Sequence, residues 1–381
     1  MQRRPRWWFP VVAVTVATVV PWLLAEGVHS LWCGRQAETS LAFSLWSRLT
    51  AEPPAERADV HDPASRTIVR ESDISRLVPE FLASGVGLGN SPFSHLKTEE
   101  ISVNSHAGPC TEQKPNVHKK LTYLRSNLYN PFDQMSFFVD ADRVLAPELQ
   151  AFVDRYAFRL VDLTTNQFGE RITLPAVDAS RVVLVAGDSV ANGLGLDDSE
   201  TLASRLQDGD RTRRYVNLGI AGATALDITC ALDRAASRYR GRIDEVIYVL
   251  CENDFDQGGP YSTPDDLVAW IDAYRRKESV GRVVLVVSPM VYNTVPEVMR
   301  VRGHVRYAWP SFREERARTI ELARAKGFGV VDFVDIANAE RERGRSQFAP
   351  LALYVDHAHW SPAGVSRVVG ALAALDAASP R

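Results

Sequence analysis

Residues 182–193 read Val-Val-Leu-Val-Ala-Gly-Asp-Ser-Val-Ala-Asn-Gly, an apolar run that ends in a polar turn flanked by glycines. An uninterrupted β-branched run is typical of a strand buried on both faces. Similar runs recur downstream, separated by segments of helical length, so the predicted strands are Val182–Ala186, Tyr215–Leu218, Val246–Leu250, Val283–Val287 and Val330–Phe333. This alternation predicts an α/β fold with a five-stranded parallel sheet covered on both faces.

The segments between the strands space their apolar residues at intervals of three to four, as amphipathic helices do. The predicted helices are Ser199–Gln207, Ala225–Tyr239, Asp265–Arg276, Phe312–Lys326 and Pro362–Leu375. In an open parallel sheet the ligand crevice lies outside the carboxyl ends of the strands. Functional side chains are therefore expected directly after the apolar runs.

Residues suited to acyl transfer do occur at those positions. The strand ends and the last loop before the terminal helix carry Gly187-Asp188-Ser189, then Asn217, Gly219 and Gly222, then Asn253-Asp254, and finally Asp356 and His359. Together they supply a hydroxyl, an imidazole, a carboxylate, an amide and backbone N–H donors. The sequence therefore predicts one catalytic site assembled from four loops.

Each residue has a predicted role in that site. Ser189 is the candidate nucleophile, His359 the base that accepts its proton, and Asp356 the group that orients the ring. The backbone N–H groups of Ser189 and Gly219 and the amide of Asn253 are the candidate oxyanion hole. His359 is preferred to His357 because it lies three residues after Asp356 and five before Gly364.

Each motif also has a purely structural interpretation. Gly-Asp-Ser and Asn-Asp are common turns and helix caps, and a lone histidine is more often structural than catalytic. Asp188 and Asp254 are interpreted as carboxylates that fix loops by accepting backbone N–H bonds. Asp332 and Asp335 are interpreted as capping or solvated carboxylates. Only the conjunction of the motifs at successive strand ends favours catalysis.

The carboxy-terminal half, about residues 181–375, resembles the SGNH or GDSL hydrolase family. The resemblance rests on four blocks: Gly187-Asp188-Ser189, Asn217-Leu218-Gly219 with Gly222, Cys251-Glu252-Asn253-Asp254, and Asp356-His357-Ala358-His359 with Gly364. It implies a flavodoxin-like three-layer α/β/α fold, a Ser189 nucleophile with Asp356 and His359, and no metal or organic cofactor. Cys251 stands where the family usually has glycine, and it is expected to be a buried thiol.

The amino terminus carries a targeting signal. Arg3, Arg4 and Arg6 precede an uncharged apolar stretch over residues 7–25, which as a helix would span about 28 Å. Its flanking arginines predict a retained single-pass anchor with the remainder of the chain on the exoplasmic or periplasmic side. A cleaved signal peptide followed by secretion, or a core helix, is the alternative.

The predicted organisation is an anchor over 1–26, a juxtamembrane linker over 27–65, an accessory α+β region over 66–175 and an SGNH hydrolase domain over 176–381. The segment Thr164-Thr-Asn-Gln-Phe-Gly-Glu-Arg171 resembles the sequence that precedes the first strand in membrane-anchored bacterial members of the family. The role of the accessory region is not predicted.

Four cysteines lack metal-ligand spacing, so a structural zinc is not expected. Cys33 and Cys110 are candidates for a disulfide, while Cys230 and Cys251 are expected to be buried thiols. A net charge of −3 gives no global basic field for nucleic-acid binding.

The leading functional prediction is a serine esterase that hydrolyses acyl esters, acetyl among them, of a cell-envelope carbohydrate or lipid. The predicted partners are an acylated small-molecule, carbohydrate or lipid substrate and the membrane, through the N-terminal helix. An O-acyltransferase that uses a sugar hydroxyl as acceptor, and a catalytically silent envelope-binding protein, are the alternatives.

Overall fold

The computed structural model describes residues 87–88, 104–107, 110–125, 134–140, 157–256, 260–295, 312–346 and 349–378, together with the helical positions 147, 150, 151 and 154. The predicted anchor and linker lie outside this part of the chain. Among the described residues no helix is both long enough and apolar enough to cross a bilayer. The anchor therefore stays a prediction.

The accessory region is built from antiparallel strands. In chain order they are β1 (Gly87–Leu88), β2 (Asn104–Ala107), β3 (Cys110–Gln113), β4 (His118–Arg125), β5 (Gln134–Asp140) and β6 (Ala157–Thr164). Strands β2 and β3 form a hairpin, and the other four form a sheet of order β1-β5-β4-β6. Leu121, Tyr123, Val161 and Leu163 make the buried face of this sheet.

The carboxy-terminal half alternates strands and helices as predicted. It contains β7 (Val182–Gly187), α1 (Ser189–Asn192), α2 (Leu202–Gly209), β8 (Arg214–Asn217), α3 (Ala225–Arg238), β9 (Ile243–Leu250), α4 (Asn253–Asp256), α5 (Pro264–Lys277), β10 (Arg282–Val287), α6 (Val291–Thr294), α7 (Phe312–Ala325), β11 (Gly329–Asp332), α8 (Phe333–Gly344), a 3₁₀ turn (Ala349–Leu353) and α9 (Pro362–Ala378).

The five strands are all parallel, in the order β8-β7-β9-β10-β11. Numbered within this sheet, the order is 2-1-3-4-5, the doubly wound order of flavodoxin. The predicted α/β class and five-stranded parallel sheet are confirmed. The topological switch point falls between β7 and β9, where Ser189 and Asn253 follow their strands.

Both faces of the sheet are covered. Leu184, Tyr248 and Leu285 belong to one continuous core with apolar residues of α3, α5 and α7. Val183 and Val284, whose side chains alternate with these and point to the other face of the sheet, are also fully buried. Helix α9 packs against β11. Burial on both faces explains why the strands read as unbroken apolar runs.

Two predicted boundaries are wrong for identifiable reasons. The helix predicted from Ser199 begins at Leu202, because Thr201 is its cap and its hydroxyl accepts from the N–H of Ser204 at 3.2 Å. The strand predicted to end at Phe333 ends at Asp332, whose carboxylate caps α8 by accepting from the N–H of Val334 at 3.0 Å. Side-chain capping overrode the apolar pattern in both places.

The cysteine pairing also differs from the prediction. Cys110 forms a disulfide with Cys230 across a sequence separation of 120 residues, so the prediction of a buried free thiol at Cys230 is wrong. The suggested pairing of Cys110 with Cys33 is wrong as well, and Cys33 lies outside the described residues. Helix α3 places Cys230 against β3. Cys251 is a buried free cysteine, as predicted.

Candidate active site

The turn that carries Ser189 joins β7 to the short helix α1. Asp188 caps that helix, and its side chain accepts from the N–H of Val190 at 2.8 Å. Gly187 has φ +153°, and a Cβ there would lie 2.5 Å from the carbonyl oxygen of Val249. Glycine is therefore required for the close approach of this turn to β9, and Ser189 is presented at the carboxyl end of the sheet.

Ser189, His359 and Asp356 form one chain of hydrogen bonds. The Ser189 hydroxyl lies 2.8 Å from Nε2 of His359, and Nδ1 of His359 lies 2.6 Å from Oδ2 of Asp356. The other oxygen of Asp356 accepts from the N–H groups of Ala358 at 2.9 Å and His359 at 2.8 Å. Both oxygens of the carboxylate are thus engaged, which fixes the loop and the imidazole together.

Burial and charge set the protonation of this pair. Burial by itself raises the pKa of Asp356, but His359, through its charge and hydrogen bond, and the Ala358 N–H leave it well below its ordinary value. For His359 burial acts to lower the pKa, while the Asp356 charge and hydrogen bond raise it above the ordinary value overall. The aspartate therefore stays ionised and stabilises an imidazolium.

The structure distinguishes the two histidines as the spacing predicted. His359 makes the hydrogen bond to Ser189. The backbone carbonyl of His357 accepts from the N–H of Val291 at 2.8 Å, which joins this loop to α6. Burial lowers the pKa of the His357 ring, so it is poorly suited to carry a proton.

The predicted oxyanion donors are not all available. The N–H of Gly219 donates to Oδ1 of Asn217 at 2.9 Å, which argues against its predicted role. A Cβ on Gly219 would lie 2.0 Å from the backbone nitrogen of Asn192. This glycine therefore allows the loop after β8 to pack against α1.

Besides Gly219, three hydrogen-bond donors follow strands at the carboxyl edge of the sheet. Ser189 is the first residue of α1, where an N–H has no partner within the helix. The Asn253 amide donates to the carbonyl of Ala223 at 2.9 Å and also lies within hydrogen-bonding reach of the Asp188 carboxylate. Gly222, the neighbour of Ala223, is exposed with φ +73°, and among the described residues its N–H has no acceptor. The only feature of the sequence that singles out Gly222 is its place in the second motif block, with Asn217-Leu218-Gly219.

Asp188 and Asp254 fix loops as predicted. Besides the cap at Asp188, the Asp254 carboxylate accepts from the N–H of Cys251 at 2.8 Å and from the hydroxyl of Tyr248 at 3.1 Å. Burial raises the pKa of both carboxyls. Cys251 is buried, and burial and these neighbouring charges raise the pKa of its thiol well above the ordinary value. Such a thiol is a weak nucleophile.

Sequence reasoning missed one buried cation. The Arg171 guanidinium is fully buried and bonds Asp198 through Nε at 2.9 Å. Its remaining nitrogens donate to four backbone carbonyls, those of Asp162, Asn192, Gly193 and Leu196. Arg171 therefore fastens the end of α1 and the segment that follows it to β6.

No protein-family model matches this sequence, and no curated protein matches it. Solved structures that resemble it include a member of the lipolytic protein G-D-S-L family from Veillonella parvula, at 12% identity and TM-score 0.39 over 54% of this chain and 100% of that one. A second is an acetyl xylan esterase, at 15% identity and TM-score 0.40 over 51% of this chain and 98% of that one. A third is a lipase/acylhydrolase from Enterococcus faecalis, at 16% identity and TM-score 0.38 over 53% of this chain and 98% of that one. The likeness covers about half of this chain.

Proposed function

We propose that this protein is a serine esterase of the SGNH type. The observation that carries the proposal is the hydrogen-bonded chain from Ser189 through His359 to Asp356, with bonds of 2.8 and 2.6 Å. A hydroxyl bonded to a buried imidazole, which a carboxylate orients, is the arrangement that activates serine as a nucleophile.

In the proposed mechanism, Ser189 Oγ attacks the ester carbonyl carbon while its proton moves to Nε2 of His359. Asp356 stabilises the resulting imidazolium, and the N–H groups of Ser189 and Gly222 with the Asn253 amide bind the oxyanion. The tetrahedral intermediate then collapses, and the leaving alkoxide takes the proton from His359. Water repeats the sequence on the acyl-enzyme, which releases the acid and regenerates Ser189.

We further propose that the substrate is an acyl ester of a cell-envelope carbohydrate or lipid, acted on outside the cytoplasm. Two features support this location: the apolar stretch over residues 7–25 behind three arginines, and the Cys110–Cys230 disulfide. Disulfides persist mainly in oxidising compartments. A reporter fused after Arg381 should be active only on the exoplasmic side, and cytoplasmic activity would contradict the proposed location.

The activity is tested with the full chain, purified in detergent, on p-nitrophenyl acetate. Wild-type protein should release nitrophenol, and Ser189→Ala should lose about 10⁴-fold or more of that rate. Ser199→Ala, which removes an exposed hydroxyl bonded to Asp197, is the matched control and should retain wild-type activity. Equal rates for wild type and Ser189→Ala would overturn the nucleophile assignment.

A further inference from the structure

Strand β3 is attached to helix α3 at several points. The Cys110–Cys230 disulfide joins the two elements, with their Cα atoms 6.5 Å apart. One residue later, the N–H of Thr111 donates to Oδ1 of Asp227 at 2.5 Å. The side chain of Arg234 lies 3.6 Å from Glu112 on the partly exposed side of the same contact. The accessory hairpin is therefore fixed to α3 over most of the length of β3.

Asp227 also fixes the start of α3. Its Oδ2 accepts from the N–H of Thr224 at 2.8 Å, as in a capping box, and also from the Thr224 hydroxyl at 2.9 Å. One carboxylate therefore holds Thr224 with one oxygen and β3 with the other. Thr224 ends the loop over residues 218–224, which we call the β8–α3 loop and which contains Gly222.

The other end of the β8–α3 loop is held by the same strand. Nε2 of Gln113 donates to the carbonyl of Gly219 at 2.9 Å, and Gln113 is 4% exposed. The same carbonyl accepts from Nδ2 of Asn192 at 2.9 Å. The Gly219 carbonyl thus accepts one hydrogen bond from α1 and one from β3.

We propose that β3, through Gln113 and the Cys110–Cys230 disulfide, positions the β8–α3 loop so that the Gly222 N–H points at the oxyanion. The proposal rests on the proposed esterase function. Gln113 and the cysteines contact no reacting atom, so they are positioning residues that act through the backbone at Gly219 and through α3. A role for the accessory region in catalysis follows, since an oxyanion donor helps only when it is held in place before reaction.

A change in stability must be separated from a change in positioning. The disulfide closes a long loop, so its removal lowers stability whatever its effect on the site. Gln113→Met leaves the disulfide intact and removes only the donor to Gly219. Arg234→Gln is the matched control, because it removes a partly exposed contact of the same interface.

The experiment compares the full-length wild type, Gln113→Met, Arg234→Gln and the double variant Cys110→Ser/Cys230→Ser. It measures kcat and KM for p-nitrophenyl acetate per serine titrated with a fluorophosphonate, and amide hydrogen exchange in a peptide covering residues 217–226. For Gln113→Met we expect kcat to fall about 10-fold, the effect of losing one well-aligned hydrogen bond. KM should change less than about 2-fold, and the loop amides should exchange faster.

The double cysteine variant should shift kcat and exchange in the same direction, and Arg234→Gln should match the wild type. Wild-type kcat per titrated serine and wild-type loop exchange in Gln113→Met would overturn the positioning role. If the wild type itself shows no esterase activity, the proposed function fails separately. In that case amide hydrogen exchange in residues 217–226 tests the positioning role by itself. Unchanged exchange in Gln113→Met contradicts that role whether or not the protein is an esterase.

Discussion

Two regions contribute different kinds of contact to the site: the loops at the carboxyl edge of the parallel sheet, and the accessory antiparallel strands. The loops contribute side chains that bond one another, as in the 2.8 Å contact between Ser189 and His359. The accessory region contributes side chains that bond backbone carbonyls: Gln113 donates to Gly219, and Arg171 donates to Asn192 and Gly193 at the end of α1. Reactivity is thus set within the loops, while their conformation is held from outside. Variants on the loop side should therefore lose more rate than variants on the accessory side.

The largest effect is expected for Asp356→Asn on the loop side. An amide beside Nδ1 of His359 favours the wrong tautomer, so kcat should fall about 10⁴-fold while the fold is retained. Steady-state kinetics and a urea unfolding curve measure the two quantities. An unchanged kcat would remove Asp356 from the mechanism.

The same pair predicts a pH dependence. Only neutral His359 can accept the serine proton, and its pKa is raised above the ordinary value. For the wild type, kcat/KM should therefore rise with pH, with a midpoint above about 6.5. Asp356→Asn removes the charge that raises this pKa, so its midpoint should move to lower pH. A midpoint that does not move would show that another group controls the profile.

A smaller loss of rate is expected for Asn253→Ala. It removes a proposed oxyanion donor together with the bond to Ala223, and kcat should fall about 10²–10³-fold with KM little changed. Asn338→Ala serves as control, since Asn338 lies exposed on α8 and bonds only Arg341 among the described residues. Equal kcat values for these two variants would contradict the assignment of Asn253.

On the accessory side, Arg171→Met should act mainly on stability. It removes the charge partner of the buried Asp198 carboxylate and one donor from each of four backbone carbonyls, which should lower the free energy of unfolding by about 3–5 kcal/mol. The kcat per titrated serine in the folded fraction should stay within about 10-fold of wild type. Arg211→Met, which removes an exposed ion pair with Asp208, should leave the urea midpoint unchanged. If Arg171→Met unfolds at the same urea concentration as the wild type, the stabilising role of Arg171 is contradicted.

The smallest effect is expected for Cys251→Ala. The thiol is buried and its pKa is raised, so it should contribute packing and no chemistry, and kcat should stay within about 3-fold of wild type. Iodoacetamide should leave the native enzyme active. Inactivation that is absent in Cys251→Ala would show a reactive thiol instead.

The parallel sheet was predictable because burial on both faces leaves a local signal in the sequence. Strand Val283–Val287 and helix Ala225–Tyr239 were each predicted to within one residue of their observed bounds. Strand β4 carries His118, Lys119, Lys120 and Arg125, so its apolar periodicity is weak and only pairing with β5 and β6 defines it.

The grouping of Ser189, His359 and Asp356 was also predictable, since parallel strands place their carboxyl ends at one edge. The pairing of Cys110 with Cys230 was not, because it depends on how the hairpin packs against α3. Nor was the difference between Gly219 and Gly222, which depends on where the Asn217 side chain accepts a bond. Long-range contacts of single side chains leave no periodic trace.

The most direct test of the central claim is the reaction of a labelled fluorophosphonate with the full-length wild type and Ser189→Ala. An activated serine displaces fluoride and forms a stable phosphonyl ester, so the test requires no knowledge of the natural substrate. The wild type should carry one label, and peptide mapping should place it on Ser189. The Ser189→Ala variant should carry none. No labelling of the wild type, or equal labelling of the two proteins, would contradict the assignment of Ser189 as an activated nucleophile.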